Sequence, residues 1–299
     1  MKVSVIIPAY NHQNFLGESI ESVLNQSLSD LELIIINDGS TDNTEKISLD
    51  YKDERIKYYN QINSGAHSAI NKGISFAKGK YISILNSDDI YEINRLEECY
   101  KFLEANTNYA AIVTKLVPID EKSNYLKKNT SVHIKAFLDW YISAIPYFLD
   151  GNFPLRFYSY NIAITTSNFF YRKNLSKKIG EYLPLRYAHD WDMLIRMSES
   201  ADIYYMNEEL LRYRIHHKNT IAEEGSEEKI KFEVNWLIAK NIRYSTKLMS
   251  KKPCFHDLIP HNHYLETNLF ELLINCNESL FLSLLDMSSD ERNSILNNL

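Results

Sequence analysis

Four short apolar runs in roughly the first 90 residues each stop at a polar corner, and helical spacing separates most of them. The first, Val3-Ser4-Val5-Ile6-Ile7-Pro8, is closed by a proline and the turn Ala9-Tyr10-Asn11; Leu16, Ile20, Val23 and Leu24 then recur at helical spacing. The second, residues 31–36, ends in Asn37-Asp38-Gly39-Ser40-Thr41-Asp42, whose glycine and short polar side chains suit a tight turn and the start of another helix. Residues 55–59 read as a third strand. Asn63-Ser64-Gly65 leads from it into a helix with Ala66, Ala69, Ile70, Gly73, Ile74 and Ala77 on one face, small enough to lie close on a sheet. The fourth run, residues 81–85, enters Asn86-Ser87-Asp88-Asp89 directly.

Strands alternating with helices of this length predict an α/β fold, a Rossmann-like doubly wound, mostly parallel sheet with right-handed crossovers. Open sheets of that kind bind ligands beyond the carboxyl ends of their strands, where the acidic and amide-rich corners fall. Asp88 and Asp89 place hard oxygen ligands there, suited to Mg²⁺ or Mn²⁺; the alternative is a solvated turn capping the next helix. Neither the Gly-rich dinucleotide pattern nor the Gly-x-x-x-x-Gly-Lys loop occurs in these strand-to-helix turns. A diphosphate at this edge therefore needs its charge met otherwise, and a cation on Asp88 or Asp89 is the economical candidate.

The second half is less regular. Residues 109–117 read as a strand, and so do 162–171. Between them Phe137, Trp140, Tyr141, Tyr147, Phe148, Phe153, Phe157 and Tyr158 form either an acceptor-binding face or plain core. Trp191, Leu194 and Met197 follow a helical stripe that puts His189 and Asp190 at a helix N-terminus, which favours an ionised carboxylate and predicts a lowered pKa for Asp190. From about residue 227 onward Ile230, Val234, Leu237, Ile238 and Ile242 predict a helix, with more helix in the tail, available for oligomerisation, membrane contact or acceptor choice.

With 299 residues and 44% apolar content the chain can hold one large domain and an appendage. A net charge of −6 gives no reason to expect nucleic-acid binding, and 3 widely spaced cysteines argue against a disulfide framework or zinc site. Strand one begins at once and no apolar run reaches about 18 residues, so a cytoplasmic protein without signal peptide or membrane span is expected. Lys127, Lys128, Lys173, Lys177 and Lys178 would offer a basic surface to the inner face of a membrane or an anionic acceptor, unless they are simply solvated.

Taken together, Ser4-Val5-Ile6-Ile7-Pro8-Ala9-Tyr10-Asn11, Asp38-Gly39-Ser40-Thr41-Asp42, Asn63-x-Gly65 with Asn71-x-Gly73, and Asn86-Ser87-Asp88-Asp89 resemble glycosyltransferase family 2, with its GT-A fold. The resemblance implies a nucleotide-sugar, most often a UDP-sugar, at the sheet edge. It implies that Pro8, Tyr10 and Asn11 shape the base pocket, that Asp38 accepts from the uracil ring, and that Asn63 or Gly65 lies nearby, with Ser87 grouped among the nucleotide-binding residues. Chemistry agrees: Tyr10 offers a stacking face and an ionised Asp38 only accepts, though a loop tyrosine and a capping acid are the plainer readings. Asp88 would hold the metal with Asp89 supporting, and Asp190 would be the catalytic base; a capping role is its alternative. Asn86 stands where similar sequences often carry Asp, and His189 where Glu is usual. Tyr213-Arg214-Ile215-His216 resembles the Tyr-Arg-x-His signature, in which His216 reaches metal or diphosphate; neutral imidazole suits Mn²⁺ better than Mg²⁺, and an exposed structural histidine is the other reading.

The expected division is 1–226 catalytic, with 1–117 on the nucleotide-sugar side and 118–226 on the acceptor side, and 227–299 a helical extension. The implied chemistry is metal-dependent single displacement with inversion, adding one sugar to a hydroxyl of a surface polysaccharide, a glycan or its lipid-linked precursor. Two other classes stay open. A sugar nucleotidyltransferase would need a Gly-rich basic loop where Pro8-Ala9-Tyr10-Asn11 stands, and a non-catalytic binding module would have no need of Asp88 and Asp190.

Overall fold

Strands Val3–Ala9 (β1) and Leu31–Asn37 (β2) are buried along their whole length, as parallel strands covered on both faces must be. The computed structural model describes residues 1–128, 130–149, 157, 161–244 and 291. β1 pairs in parallel with β2 and with Tyr81–Ile84 (β4), and β2 pairs in parallel with Ile56–Asn60 (β3). The chain thus steps outward twice from β1 and returns to its other side. The carboxyl ends of β1 and β4 consequently flank a topological switch point, the crevice such sheets use for ligands.

Helices Leu16–Leu24 (α1), Thr44–Asp50 (α2) and Ala66–Phe76 (α3) make the crossovers. α3 lies on β1 so closely that a Cβ at Gly73 would sit 2.4 Å from Ile6 Cγ2, and Ile6 is fully buried. Gly73→Ala should therefore destabilise the fold by about 1–3 kcal/mol through overpacking, read as a lower urea midpoint; an unchanged midpoint would mean the helix lifts without cost.

The chain continues through Ile90–Tyr91 (β5), Arg95–Ala105 (α4), Tyr109–Ile119 (β6), Val132–Leu149 (α5), Phe170–Arg172 (β7), Lys173–Ile179 (α6), His189–Ser200 (α7), Asp202–Arg214 (β8) and Ser226–Tyr244 (α8). One sheet of order β3-β2-β1-β4-β7-β6-β8-β5 results. β7 is antiparallel to β4 and β6, β8 is parallel to β6, and β5 is antiparallel to β8. The mostly parallel α/β sheet read from the sequence is present.

Of the strand expected over 162–171 only Phe170 and Tyr171 form, within β7. Before it, Thr166–Asn168 makes a 3₁₀ turn in which the Thr165 side chain accepts from Ser167 N. Asn168 replaces the missing ladder with its side chain, its Oδ1 accepting from Thr114 N at 2.8 Å and its Nδ2 donating to Thr114 O at 2.8 Å. In the aromatic segment Tyr141 and Phe157 are core, and the Tyr141 hydroxyl accepts from Leu116 N. Phe153, Tyr158 and the side chains of Tyr147 and Phe148 lie outside the described residues.

The five lysines do not make one surface. Lys127 and Lys128 follow the hairpin after β6, whereas Lys173 bonds back to Lys80 O at the start of β4, the opposite end of the sheet. Lys128 is also paired with Asp139. The helix expected from about residue 227 is α8; the tail beyond residue 244 lies outside the described residues apart from residue 291. Among the described residues no helix is long and apolar enough to cross a membrane.

Candidate active site

The turns after β1 and β2 lock together. Asp38 N donates to Ala9 O, Asn11 N donates to Ser40 Oγ, and Asn11 Oδ1 accepts from Thr41 N at 2.8 Å. Asn11 takes φ 51°, in the left-handed region that Asn tolerates better than most residues. The buried Asp38 carboxylate gathers the loop before α3: Oδ1 accepts from Gln61 Nε2 (2.7 Å) and Ser64 N (2.8 Å), and Oδ2 from Gly65 N (2.9 Å). Three of about four acceptor positions are thereby filled. Gly39, at φ 71°, must be glycine for this approach, since a Cβ would lie 2.7 Å from Asn63 N. Tyr10, 46% exposed, stands at the mouth of the corner.

At the end of β4 the two acids part company. Asp88 Oδ2 lies 3.0 Å from His216 Nε2, and the two join His12 in a group whose three ligand atoms all fall within 4.8 Å of one another. Phe15 backs this group, its ring 4.7 Å from that of His216, and the Arg214 guanidinium lies over the Phe15 ring, 4.9 Å from its centroid. Asp89 is not brought into the group. Its Oδ1 accepts from Arg214 N (2.9 Å) and its Oδ2 from Ser167 Oγ (2.5 Å), so it fastens β8 and the 165–167 turn to the end of β4. Burial and the neighbouring Asp88 push the Asp89 carboxyl well up. For Asp88, burial opposes ionisation, but the His216 hydrogen bond and the two imidazoles outweigh it and hold its carboxyl below the ordinary value. Burial lowers the His12 pKa despite Asp88, which favours the neutral imidazole a metal needs.

Two imidazoles and one carboxylate fit a divalent transition ion better than Mg²⁺, which prefers oxygen alone. Lys218 N donates to His216 Nδ1, so in this arrangement Nε2 carries the proton shared with Asp88. A cation there would take that proton's place.

Across the crevice Asp190 starts α7. Its Oδ1 accepts from Trp191 N at 2.7 Å and its Oδ2 from Asn161 Nδ2 at 3.0 Å. The expectation of a lowered pKa is corrected: burial raises it, and neither the neighbouring His189 nor the hydrogen bonds bring it back down. A helix start gives way to desolvation when the carboxylate is this enclosed.

A cavity of about 550 Å³ connects these parts. Pro8, Tyr10, Asn11, Asp38, Asn63, Gly65, Ser87, Asp88 and Asp190 all line it; Asp89 and His216 stand behind the wall. Ser87 faces it with its hydroxyl 2.8 Å from His12 Nδ1. Asn86 is tied at both ends of its amide, Nδ2 donating to Thr165 Oγ1 and Oδ1 accepting from Thr166 Oγ1. A carboxylate could not donate to Thr165 in the same way. Ile164, also on the wall, takes φ 64°, a strained conformation for a β-branched residue worth roughly 1–3 kcal/mol.

Sequence reasoning missed His12, Thr165, Thr166 and Arg214. Arg214 is fully buried, donates to Asp88 O, Asp120 O and Glu18, and so fixes the corner that presents Asp88. Its place inside the Tyr213–His216 motif was the available signal; His12 had none beyond following Asn11.

The model of the family described as Glycosyl transferase family 2 matches residues 4–180. An uncharacterised glycosyltransferase of Rickettsia typhi is 36% identical over 222 residues, covering 73% of this chain and 65% of that protein. A chondroitin synthase of Pasteurella multocida is 42% identical over 114 residues, 38% of this chain and 12% of that protein. The chain thus spans less than two thirds of the length of either relative. A crystal structure of S. aureus TarS 1-349 in complex with UDP-GlcNAc superposes with a TM-score of 0.68 at 19% identity, covering 95% of this chain and 82% of that one; the two share a fold.

Proposed function

The chain belongs to glycosyl transferase family 2, and from that premise we propose that it is an inverting, metal-dependent glycosyltransferase moving one sugar from a UDP-sugar to a hydroxyl acceptor. The observation that carries this reading is the convergence on one cavity of the Asp38 corner, Asp88 and Asp190. UDP is favoured because the TarS structures with the same fold hold UDP and UDP-GlcNAc. A glycan or lipid-linked glycan acceptor, in surface polysaccharide synthesis, is favoured by the likeness to chondroitin synthase.

Tyr10 would stack on the base, and the remaining acceptor position of Asp38 would take the uracil N–H. His12, Asp88 and His216 would hold Mn²⁺ in preference to Mg²⁺, and such a cation offsets the charge that develops on the leaving diphosphate. The bond from the anomeric carbon to diphosphate breaks as the acceptor oxygen bonds to its opposite face, and the acceptor's proton passes to Asp190. A carboxyl whose pKa is raised is a better proton acceptor than an ordinary aspartate once ionised. Residues 1–226 would form the catalytic unit, acting in the cytoplasm or at the inner face of a membrane.

Thermal unfolding with UDP, GDP, CMP and dTDP, each with and without Mn²⁺, tests the donor. UDP at about 100 times its Kd should stabilise by about 2.7 kcal/mol, and the other nucleotides much less. No stabilisation by any of them would favour a binding module without catalysis.

A further inference from the structure

Residues 182–188, between α6 and α7, lead directly to Asp190, and Pro184 to Tyr187 line the cavity. Their backbone is fastened at both ends. Asn71 of α3 pairs with Tyr182, its Nδ2 donating to Tyr182 O (2.9 Å) and its Oδ1 accepting from Tyr182 N (2.8 Å). At the other end stands Glu233 of α8, whose side chain is fully buried. Its Oε1 accepts from Arg186 N (2.8 Å), and its Oε2 from Tyr187 N (2.7 Å) and Ala188 N (3.1 Å).

Burying a carboxylate is costly unless donors replace its water. Three successive backbone N–H groups make an anion-binding concavity that does so. Ala188 is the N-cap of α7, so the positive end of that helix adds to the attraction. The bond runs both ways: the charge is satisfied, and three consecutive peptide units are held to one geometry. Glu233 does not line the cavity, so its influence on a substrate must pass through that backbone.

We propose that Glu233 is a positioning residue for the transfer reaction, holding residues 186–188 so that Asp190 and the rim side chains Arg186 and Tyr187 keep their places around the donor; this rests on reading Asp190 as the base. It follows that the catalytic unit proposed over residues 1–226 extends into α8, which lies beyond the residues 4–180 of the family match. A glutamine at 233 keeps the shape, yet one of its two polar atoms is a donor and would face an N–H. The loop must then drift, and displacement of a reacting group by about 1 Å costs up to about 100-fold in rate.

The test uses the full chain, with UDP release from UDP-GlcNAc and Mn²⁺ as the turnover assay and amide hydrogen exchange as a second readout. In Glu233→Gln, kcat should fall about 10- to 100-fold at an unchanged Kd for UDP, with the acid limb of the pH–kcat profile displaced. The amides of 186–188, slow to exchange in the wild type, should become fast. Wild-type kcat and pH profile in the variant, or fast exchange of those amides in the wild type, overturns the proposal. If Glu233→Gln does not fold, Glu233→Asp, which keeps the charge on a shorter arm, is read by the same criteria; if neither folds, the contact is a stability element and the proposal falls. Asp190→Asn run alongside separates the two readings: if that variant turns over normally, the base assignment is what has failed.

Discussion

Asp190→Asn should lose sugar transfer by about 10²- to 10⁴-fold while binding UDP as the wild type does. The variant is a clean test because the fold can absorb it. Asp190 accepts from Trp191 N and from Asn161 Nδ2, and an asparagine keeps the first bond through its own Oδ1. Asn161 Oδ1 is buried with no hydrogen-bond partner among the described residues, so turning its amide over lets it accept from the new N–H₂ group. Stability should follow the proton. Burial raises the Asp190 pKa, so the folded state holds this proton more tightly than the unfolded chain. The protonated form therefore favours folding at low pH, and that contribution is lost as pH rises through the folded pKa. At neutral pH the ionised carboxylate is a burden on the fold, and Asp190→Asn should be at least as resistant to urea as the wild type. Activity runs the other way, since transfer needs the base ionised: kcat/KM should fall as pH drops through a value above the ordinary aspartate range. Near wild-type transfer by the variant, or lost UDP affinity, would place the base elsewhere.

The nucleotide corner could be read in the sequence because each of its residues sits within a few positions of an apolar run that proved to be a buried strand. Pro8, Tyr10 and Asn11 end β1, Asp38 ends β2, and Asn63 and Gly65 precede α3. The alternation of strand and helix implies the parallel sheet, whereas the order of its strands, and hence the switch point between β1 and β4, is set by which strands pair. What resisted reading was direction. Asp88 and Asp89 lie in the turn between β4 and β5, where no strand alternation fixes their sides; which one faces the crevice depends on Arg214 and Ser167, far away in sequence. His12 has the same difficulty, because nothing local says that its ring meets Asp88 and His216. The segment 162–171 looked like a strand because its residues suit one, but Thr165 and Asn168 bond through their side chains and turn the chain instead. For Asp190 the helix position was read correctly and the burial could not be, and burial decided the pKa.

Asp88→Ala should abolish the Mn²⁺-dependent part of the UDP stabilisation, which totals about 2.7 kcal/mol at about 100 times the Kd, with the unliganded protein still folded. Asp88 contributes one of three ligand atoms, and its carboxylate, 3.0 Å from His216 Nε2, is the only anionic member of the group. Without it two imidazoles remain, one held by Ser87 and the other by Lys218 N. Asp89 supplies the control. Its carboxylate joins Arg214 N and Ser167 Oγ at the junction of β4, β8 and the 165–167 turn, with no place in the cation group. Asp89→Ala, which leaves Arg214 N and Ser167 Oγ without their acceptor, should therefore lower the stability by about 1–3 kcal/mol and still respond to Mn²⁺. Adjacent residues with opposite phenotypes, one blind to the metal and stable, the other responsive and weakened, separate ligation from scaffolding at a corner where both side chains are acids. An Asp88→Ala protein with an undiminished Mn²⁺ response would move the cation off this triad. A preference for Mg²⁺ over Mn²⁺ in the wild type would count against imidazole ligation by His12 and His216.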